Sequence, residues 1–180
     1  MKELSMHILD IVENSTRAGA DTISIKIVED SLNDSLTIQI EDNGKGMTEE
    51  EVTQALQPFF TTKGKNSVGL GLPLLKHTAE RCEGQLKVDS APGMGTKVYA
   101  RMKLGHIDRP PMGDLNETLS VIIGGNPGID FDITYDNNGE VECFTTRQNM
   151  PEADESIEVE SDVSMTGSSG LQHPGHKTER

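Results

Sequence analysis

Between residues 5 and 19 apolar positions recur at helical spacing. Leu4, Ile8, Ile11, Val12 and Ser15 share one side, polar residues hold the other, and Gly19 closes the segment, so an amphipathic helix is predicted. Two alternating runs follow, 22–29 (TISIKIVE) and 35–42 (SLTIQIED), joined by the turn-forming DSLND; this is a hairpin pattern. Thr48 followed by Glu51 makes a capping box for a short helix that Pro58 stops. From Pro58 to Gly71 the chain is polar, glycine-bearing and without period, as a loop is. LPLLKHTAERCEG reads as a helix ending on Gly84, and QLKVDSA and TKVYARMKL read as strands around the turn APGMG.

Strands that come as hairpins rather than singly between helices predict an α+β two-layer sandwich with a mixed, mostly antiparallel sheet, not a doubly wound nucleotide fold. That unit spans residues 1–104. Beyond the linker-like GHIDRPPMG, residues 105–146 hold a short helix (GDLNETLSVIIGG) and a hairpin turned by DNNG, a C-terminal extension too small to hold a core alone. It is expected to pack onto the first unit, as an adaptor surface or as a simple extension of the sheet. Residues 147–180 carry no aromatic side chain, and PEADESIEVESD has six acids in twelve positions without one base, the composition of a disordered acidic tail.

The chain of 180 residues contains 33% hydrophobic and 26% charged side chains, which suits one soluble domain with some surplus. No run approaches the ~20 apolar residues of a membrane span, and MKELSMHILDIVEN lacks the apolar stretch and cleavage site of a signal peptide, so a cytoplasmic location is expected. A formal charge of −14 disfavours nucleic acid and anionic membrane surfaces as partners. A small anion remains compatible with it, because salt screens the distant field within about 8–10 Å. Cys82 and Cys143 have neither disulfide nor zinc spacing.

Four segments carry candidate chemistry. On the first helix, Asp10, Asn14 and Arg17 stand at i, i+4 and i+7, so one stripe offers a carboxylate, an amide oxygen and a cation. These suit, in turn, polarising a water, holding a hard ion such as Mg²⁺, and binding phosphate oxygens, although a solvated helix face has the same look. Asp42-Asn43-Gly44-Lys45-Gly46-Met47 leaves a strand directly; two glycines permit close backbone approach, and Asp42 can accept from an exocyclic amine such as adenine's. Pro58-Phe59-Phe60-Thr61-Thr62-Lys63 places two of four phenylalanines in a polar loop, with Lys63 and Lys65 suited to covering an anion. Val68-Gly69-Leu70-Gly71-Leu72 opens a helix whose first amides make a phosphate site.

In this order and spacing the four resemble the ATP-binding domain of the gyrase, heat-shock chaperone, histidine kinase and MutL superfamily, the Bergerat fold. Glu13-Asn14-Ser15 is similar to its N box, DNGKGM to its first glycine box, PFFTTK to its F box and GLGL to its second glycine box. GQLKVDSAPGMGTKVYARMKL resembles the closing strands of histidine kinase domains, and the likeness covers roughly residues 5–104. It implies that Asn14 coordinates Mg²⁺, that Asp42 reads the adenine amino group, and that Gly44 and Gly46 let the chain pass close to the base. Residues 48–68 would form a lid over the triphosphate, and Gly69 and Gly71 would hold phosphate oxygens. Met47, Phe60, Thr62, Leu70, Leu72 and Thr96 complete the expected nucleotide contacts, with Asp10, Arg17 and Lys63 as catalytic groups.

Within the superfamily, VENSTRAGADTISI looks like MutL, while PFFTTK and the segment after Gly69 look like histidine kinases. The position one turn before Asn14 is Glu in the ATPases and commonly Asn in histidine kinases; here Asp10 is a carboxylate on a shorter arm. Arg17 matches the phosphate-binding base of histidine kinases. Fewer than ten residues precede the first helix and no transducer domain is seen, so the expected protein is a stand-alone Mg–ATP module acting on an unidentified protein partner. It would phosphorylate that partner in trans, serve as a nucleotide-gated binding module, or be a slow ATPase. A homodimer is compatible with the sequence.

Overall fold

The computed structural model describes residues 3–57 and 71–147. Helix α1 (Leu4–Arg17) leads into strands β1 (Thr22–Asp30) and β2 (Ser35–Asp42), the short helix α2 (Glu49–Ala55) and helix α3 (Gly71–Arg81). Strands β3 (Gln85–Ser90) and β4 (Thr96–Met102), helix α4 (Leu115–Gly125) and strands β5 (Asp130–Asn137) and β6 (Glu140–Thr145) complete the order. The strands make one sheet in the order β3-β4-β2-β1-β5-β6, antiparallel throughout except for the parallel pair β1 and β5. This is the two-layer α+β arrangement that the hairpin pattern predicts.

Side-chain alternation explains the layering. Ile23, Ile25 and Ile27 of β1, Leu36, Ile38 and Ile40 of β2, Val98, Ala100 and Met102 of β4 and Phe131 and Ile133 of β5 are all buried on one face. Leu4, Ile8, Ile11 and Val12 of α1, Leu72, Leu75 and Ala79 of α3 and Ile122 of α4 join them in one cluster. Each fully buried isoleucine contributes about 1.5–3 kcal/mol, so this face decides the register. The odd positions of β2 and β4 point the other way, where Lys97 pairs with Glu41 at 3.1 Å.

Residues 105–147 enter the same core. β5 extends the sheet beside β1, and Phe131 is fully buried. The preceding connection also serves α1: Glu3 provides no side-chain cap, and the amides of Leu4 and Ser5 donate instead to the carbonyls of Pro111 and Met112, both at 2.9 Å. The hairpin turns at Asn138 and Gly139, both at positive φ, as the DNNG pattern predicts.

The Thr48–Glu51 capping box is formed in both directions. α1 and α3 end alike, each with a left-handed residue whose amide reaches back across the last turn. In α1 that residue is Gly19, as expected; in α3 it is Glu83, one position before Gly84. Gly84 is needed for a different reason: a Cβ there would lie 1.8 Å from the carbonyl oxygen of Arg101. Among the described residues no helix is long and apolar enough to cross a membrane. The predicted loop 58–71, apart from Gly71, and the acidic tail beyond Arg147 lie outside the described residues.

Candidate functional site

The cross-strand register builds one apolar row on the helix-facing side of the sheet, running Val88, Val98, Ile40, Ile25 and Ile133. One pleat further along the same face, the row reads Ser90, Thr96, Asp42, Ile23 and Phe131. At the end of β2 and β4, therefore, isoleucine and valine give way to carboxylate and hydroxyls without a change of face. Asp42 is only 8% exposed there.

Burying a carboxylate is costly unless donors meet it, and two do. The Ser15 hydroxyl on α1 donates to Oδ2 at 2.6 Å, and the Gly44 amide donates to Oδ1 at 2.9 Å. The turn after Asp42 is tied on all sides. Asn43 Oδ1 accepts from the amides of Asp21 and Thr22, both at 3.0 Å, and the Lys45 amide donates to the Ala18 carbonyl at 3.0 Å. The Met47 amide donates to Ser90 Oγ at 2.9 Å, which itself donates to the Gly95 carbonyl at 2.8 Å and lies 3.0 Å from Thr96 Oγ1. The glycines sit where nothing larger fits. A Cβ on Gly44 would stand 2.9 Å from that of Ala18; one on Gly46 would meet the Ala91 carbonyl oxygen at 1.9 Å, and one on Gly95 that of Asp42 at 1.9 Å. The close approaches of Gly46 and Gly95 are thus to the protein's own backbone. Beside this cluster opens a cavity of about 700 Å³ whose lining includes Asp42, Val52, Val88, Ser90, Gly95 and Thr96.

The second group lies on α1. Asp10 and Asn14 are both partly exposed, and a Cβ on Gly71 would lie 3.2 Å from that of Asp10, so α3 begins directly against the acid. Arg17, the last residue of α1, is turned to Glu13, with a 2.7 Å ion pair between two half-exposed side chains. The Leu72 side chain packs into the core. Phe60, Thr62, Lys63, Gly69 and Leu70 lie outside the described residues. The structure thus gathers Asp42, Gly44, Gly46, Met47 and Thr96 at one point; elsewhere Gly71 at the start of α3 abuts Asp10 of α1, one turn before Asn14. His7 shares the stripe of Asn14 two turns earlier; it is 1% exposed, neither ring nitrogen has a partner among the described residues, and burial lowers its pKa to about 4.

Three residues that hold the site together lie inside the quoted motifs but receive no role from them. Ser15 passes for a small member of the apolar stripe, Asn43 for a turn residue and Ser90 for an alternating strand position. The signal for Ser15 is a hydroxyl in an otherwise aliphatic face; Asn43 and Ser90 carry none until the register is known.

A family of histidine kinase-, DNA gyrase B- and HSP90-like ATPases matches residues 2–106, more than half of the chain. The chain belongs to this family. It is 34% identical over 111 residues to the cell-division control histidine kinase PdhS of Brucella anthropi, covering 54% of this chain and 10% of that protein. It is 35% identical over 94 residues to a probable C4-dicarboxylate sensor kinase of Halalkalibacterium halodurans, covering 51% and 17%. Against the sensor protein DegM of a Bacillus strain it covers 26% of the relative's length, so in each case it corresponds to a minor part of the whole protein. The fold is similar to the Aquifex aeolicus MutL ATPase domain complexed with ADP, with a TM-score of 0.52 and 14% identity over 83% of this chain and 65% of that one. The matched domain is therefore a histidine-kinase-like ATPase domain.

Proposed function

We propose that this protein binds Mg–ATP in the cavity beside Asp42 and transfers the γ-phosphoryl group to a histidine or serine of a partner protein. The buried, doubly held Asp42 carboxylate at the mouth of a preformed cavity carries the nucleotide part of this reading. The kinase names of its sequence relatives support the transfer. A magnesium ion carried by phosphates needs only one or two protein oxygens, and the partly exposed Asn14 amide, one helical turn from the Asp10 that Gly71 abuts, is of that kind. The ion would supply charge neutralisation on the phosphates. Asp42 would accept from the base, the amides at the start of α3 would face phosphate oxygens, and Asp10 would polarise the attacking group. Arg17 and Lys63 would add positive charge, Arg17 on leaving Glu13.

One observation favours a second reading, a slow ATPase: the Asp10 carboxylate stands at the start of α3, within 3.4 Å of a Cβ placed on Gly71. Incubation with Mg²⁺ and γ-phosphate-labelled ATP, alone and with extract of the source cells, separates the two. Label on a second protein is the expected result. Free phosphate that disappears with Asp10→Asn would instead establish the ATPase, and bound ATP whose label goes nowhere would reduce the role to nucleotide-gated binding.

A further inference from the structure

We infer that Ser15 is the positioning residue that makes the Asp42 carboxylate selective for a purine bearing a 6-amino group. The inference rests on the reading that an adenine nucleotide occupies the cavity beside Asp42.

Three observations carry it. Ser15 is 2% exposed, so its hydroxyl cannot turn to solvent, and it donates to Asp42 Oδ2 at 2.6 Å across 27 residues of sequence. The Gly44 amide takes the other oxygen at 2.9 Å. The two donors come from different elements, a helix facing the sheet and the turn leaving β2, so together they fix the rotation of the carboxylate about its terminal bond, a torsion that is otherwise broad. Each oxygen keeps a further acceptor position, and Asp42 lines the cavity whereas neither Ser15 nor Gly44 does.

A carboxylate held in this way presents acceptors only. A 6-amino purine brings a donor and completes the arrangement. A 6-oxo purine opposes oxygen to oxygen, and a purine without a 6-substituent leaves the acceptor unmet. Discrimination of this kind depends on the polar group being unable to turn away from the wrong ligand. The Gly44 amide alone is one anchor and leaves rotation open; the Ser15 hydroxyl is the second. Removing it would release Oδ2 and let Asp42 meet each purine with a different rotamer, so selectivity is lost while the cavity remains.

The test is calorimetric titration of the full chain with ATP, inosine triphosphate and the triphosphate of unsubstituted purine riboside, with Mg²⁺ present. The wild type should favour ATP over the unsubstituted analogue by roughly 10- to 100-fold, the range of one charge-assisted hydrogen bond. Ser15→Ala should cut that preference below about threefold by weakening ATP alone, leaving the affinity for the unsubstituted analogue within about twofold of the wild type. Ser15→Cys, which keeps a weak donor in nearly the same volume, should fall between them, and it carries the test if the alanine variant does not fold. Equal weakening of all three nucleotides would show Ser15 to be merely structural and overturn the inference, as would an unchanged preference. Asp42→Asn tells the two levels apart: if it also keeps the wild-type preference, the placement of the base at Asp42 is what fails. If Asp42→Asn abolishes the preference and Ser15→Ala does not, only the role of Ser15 falls.

Discussion

The turns at the Asp42 end of the sheet and the turn of the β5–β6 hairpin use the same local device to different ends. Gly46 and Gly95 have φ of 66° and 80°, and Gly139 has φ of 92°, so all three occupy the left-handed region that other residues enter at a cost. Around Gly46 and Gly95 there is also no room, since an added Cβ would meet a carbonyl oxygen at 1.9 Å in each case. Around a Cβ placed on Gly139 no atom of the described residues lies within 4 Å, and every residue of β6 is exposed. Backbone conformation alone explains glycine in the hairpin. At the site, interlocking turns explain it, and what they hold is the position of one carboxylate.

The sharpest way to break this contrast is Gly95→Ala. The new methyl would press on the carbonyl oxygen of Asp42 itself, and relief requires moving either the β3–β4 turn or the end of β2. A strained φ and a backbone clash together predict a loss of about 3 kcal/mol or more in chemical denaturation, accompanied by loss of ATP binding. Retention of both stability and binding would show that the two turns are not mechanically joined.

Next in size is a pH effect on the site-bearing helix. Burial holds the His7 imidazole neutral down to about pH 4, whereas in the unfolded chain it takes a proton near pH 6.5. The unfolded state therefore binds more protons in this window, and stability is complete above about pH 6.5 and declines as pH falls toward 4. The loss should amount to roughly 2 kcal/mol, read as the part of the pH-dependent denaturation midpoint that His7→Leu removes. A variant with the same pH profile as the wild type would place the sensitivity elsewhere.

How much of this was open to a reading of the chain follows from what periodicity can encode. Alternation and helical spacing report which face of an element is buried, so the three hairpins, the amphipathic α1 and the capping box at Thr48 are all visible in the letters. Spacing cannot report which strand lies beside which, and nothing in IDFDITYDNN announces that β5 runs parallel to β1 and carries Phe131 into the shared core. The same limit applies to the site. DNGKGM marks where Asp42 stands and contains one of its donors, the Gly44 amide, but the other lies 27 residues earlier, on a serine that reads as one more member of an apolar stripe. Gly84 is a milder case: a glycine after a helix suggests a left-handed cap, yet Glu83 takes that conformation and Gly84 yields space to Arg101. Arg17 shows the converse, since spacing aligns it with Asp10 and Asn14, while its guanidinium pairs with the nearer Glu13.

Ser90→Ala sharpens the contrast with a smaller effect. Its hydroxyl receives the Met47 amide and donates to the Gly95 carbonyl, so one side chain joins the two turns. Loss of both bonds at a partly exposed site should cost about 1–2 kcal/mol and weaken ATP several-fold, measured by denaturation and titration on the same sample. A stability loss with unchanged ATP affinity would mean that backbone packing at Gly46 and Gly95 suffices to place Asp42.

The smallest effect is expected at the hairpin, with Gly139→Ala. The turn is tied to itself and to the end of β1: the Gly139 amide donates to Asp136 Oδ1 at 2.8 Å, and Asn138 both donates to the Glu29 carbonyl and accepts from the Ser31 amide at 2.7 Å. None of these bonds involves the Gly139 side of the turn as a space-filling element, so the added methyl meets no atom and only the left-handed φ is penalised. That penalty is about 1 kcal/mol, and ATP affinity should stay at the wild-type value because the change lies across β5 and β1 from Asp42. If Gly139→Ala instead weakened ATP binding as Gly95→Ala is expected to, the parallel β1–β5 pairing would be transmitting strain across the sheet, and the two ends of the molecule would have to be treated as one mechanical unit.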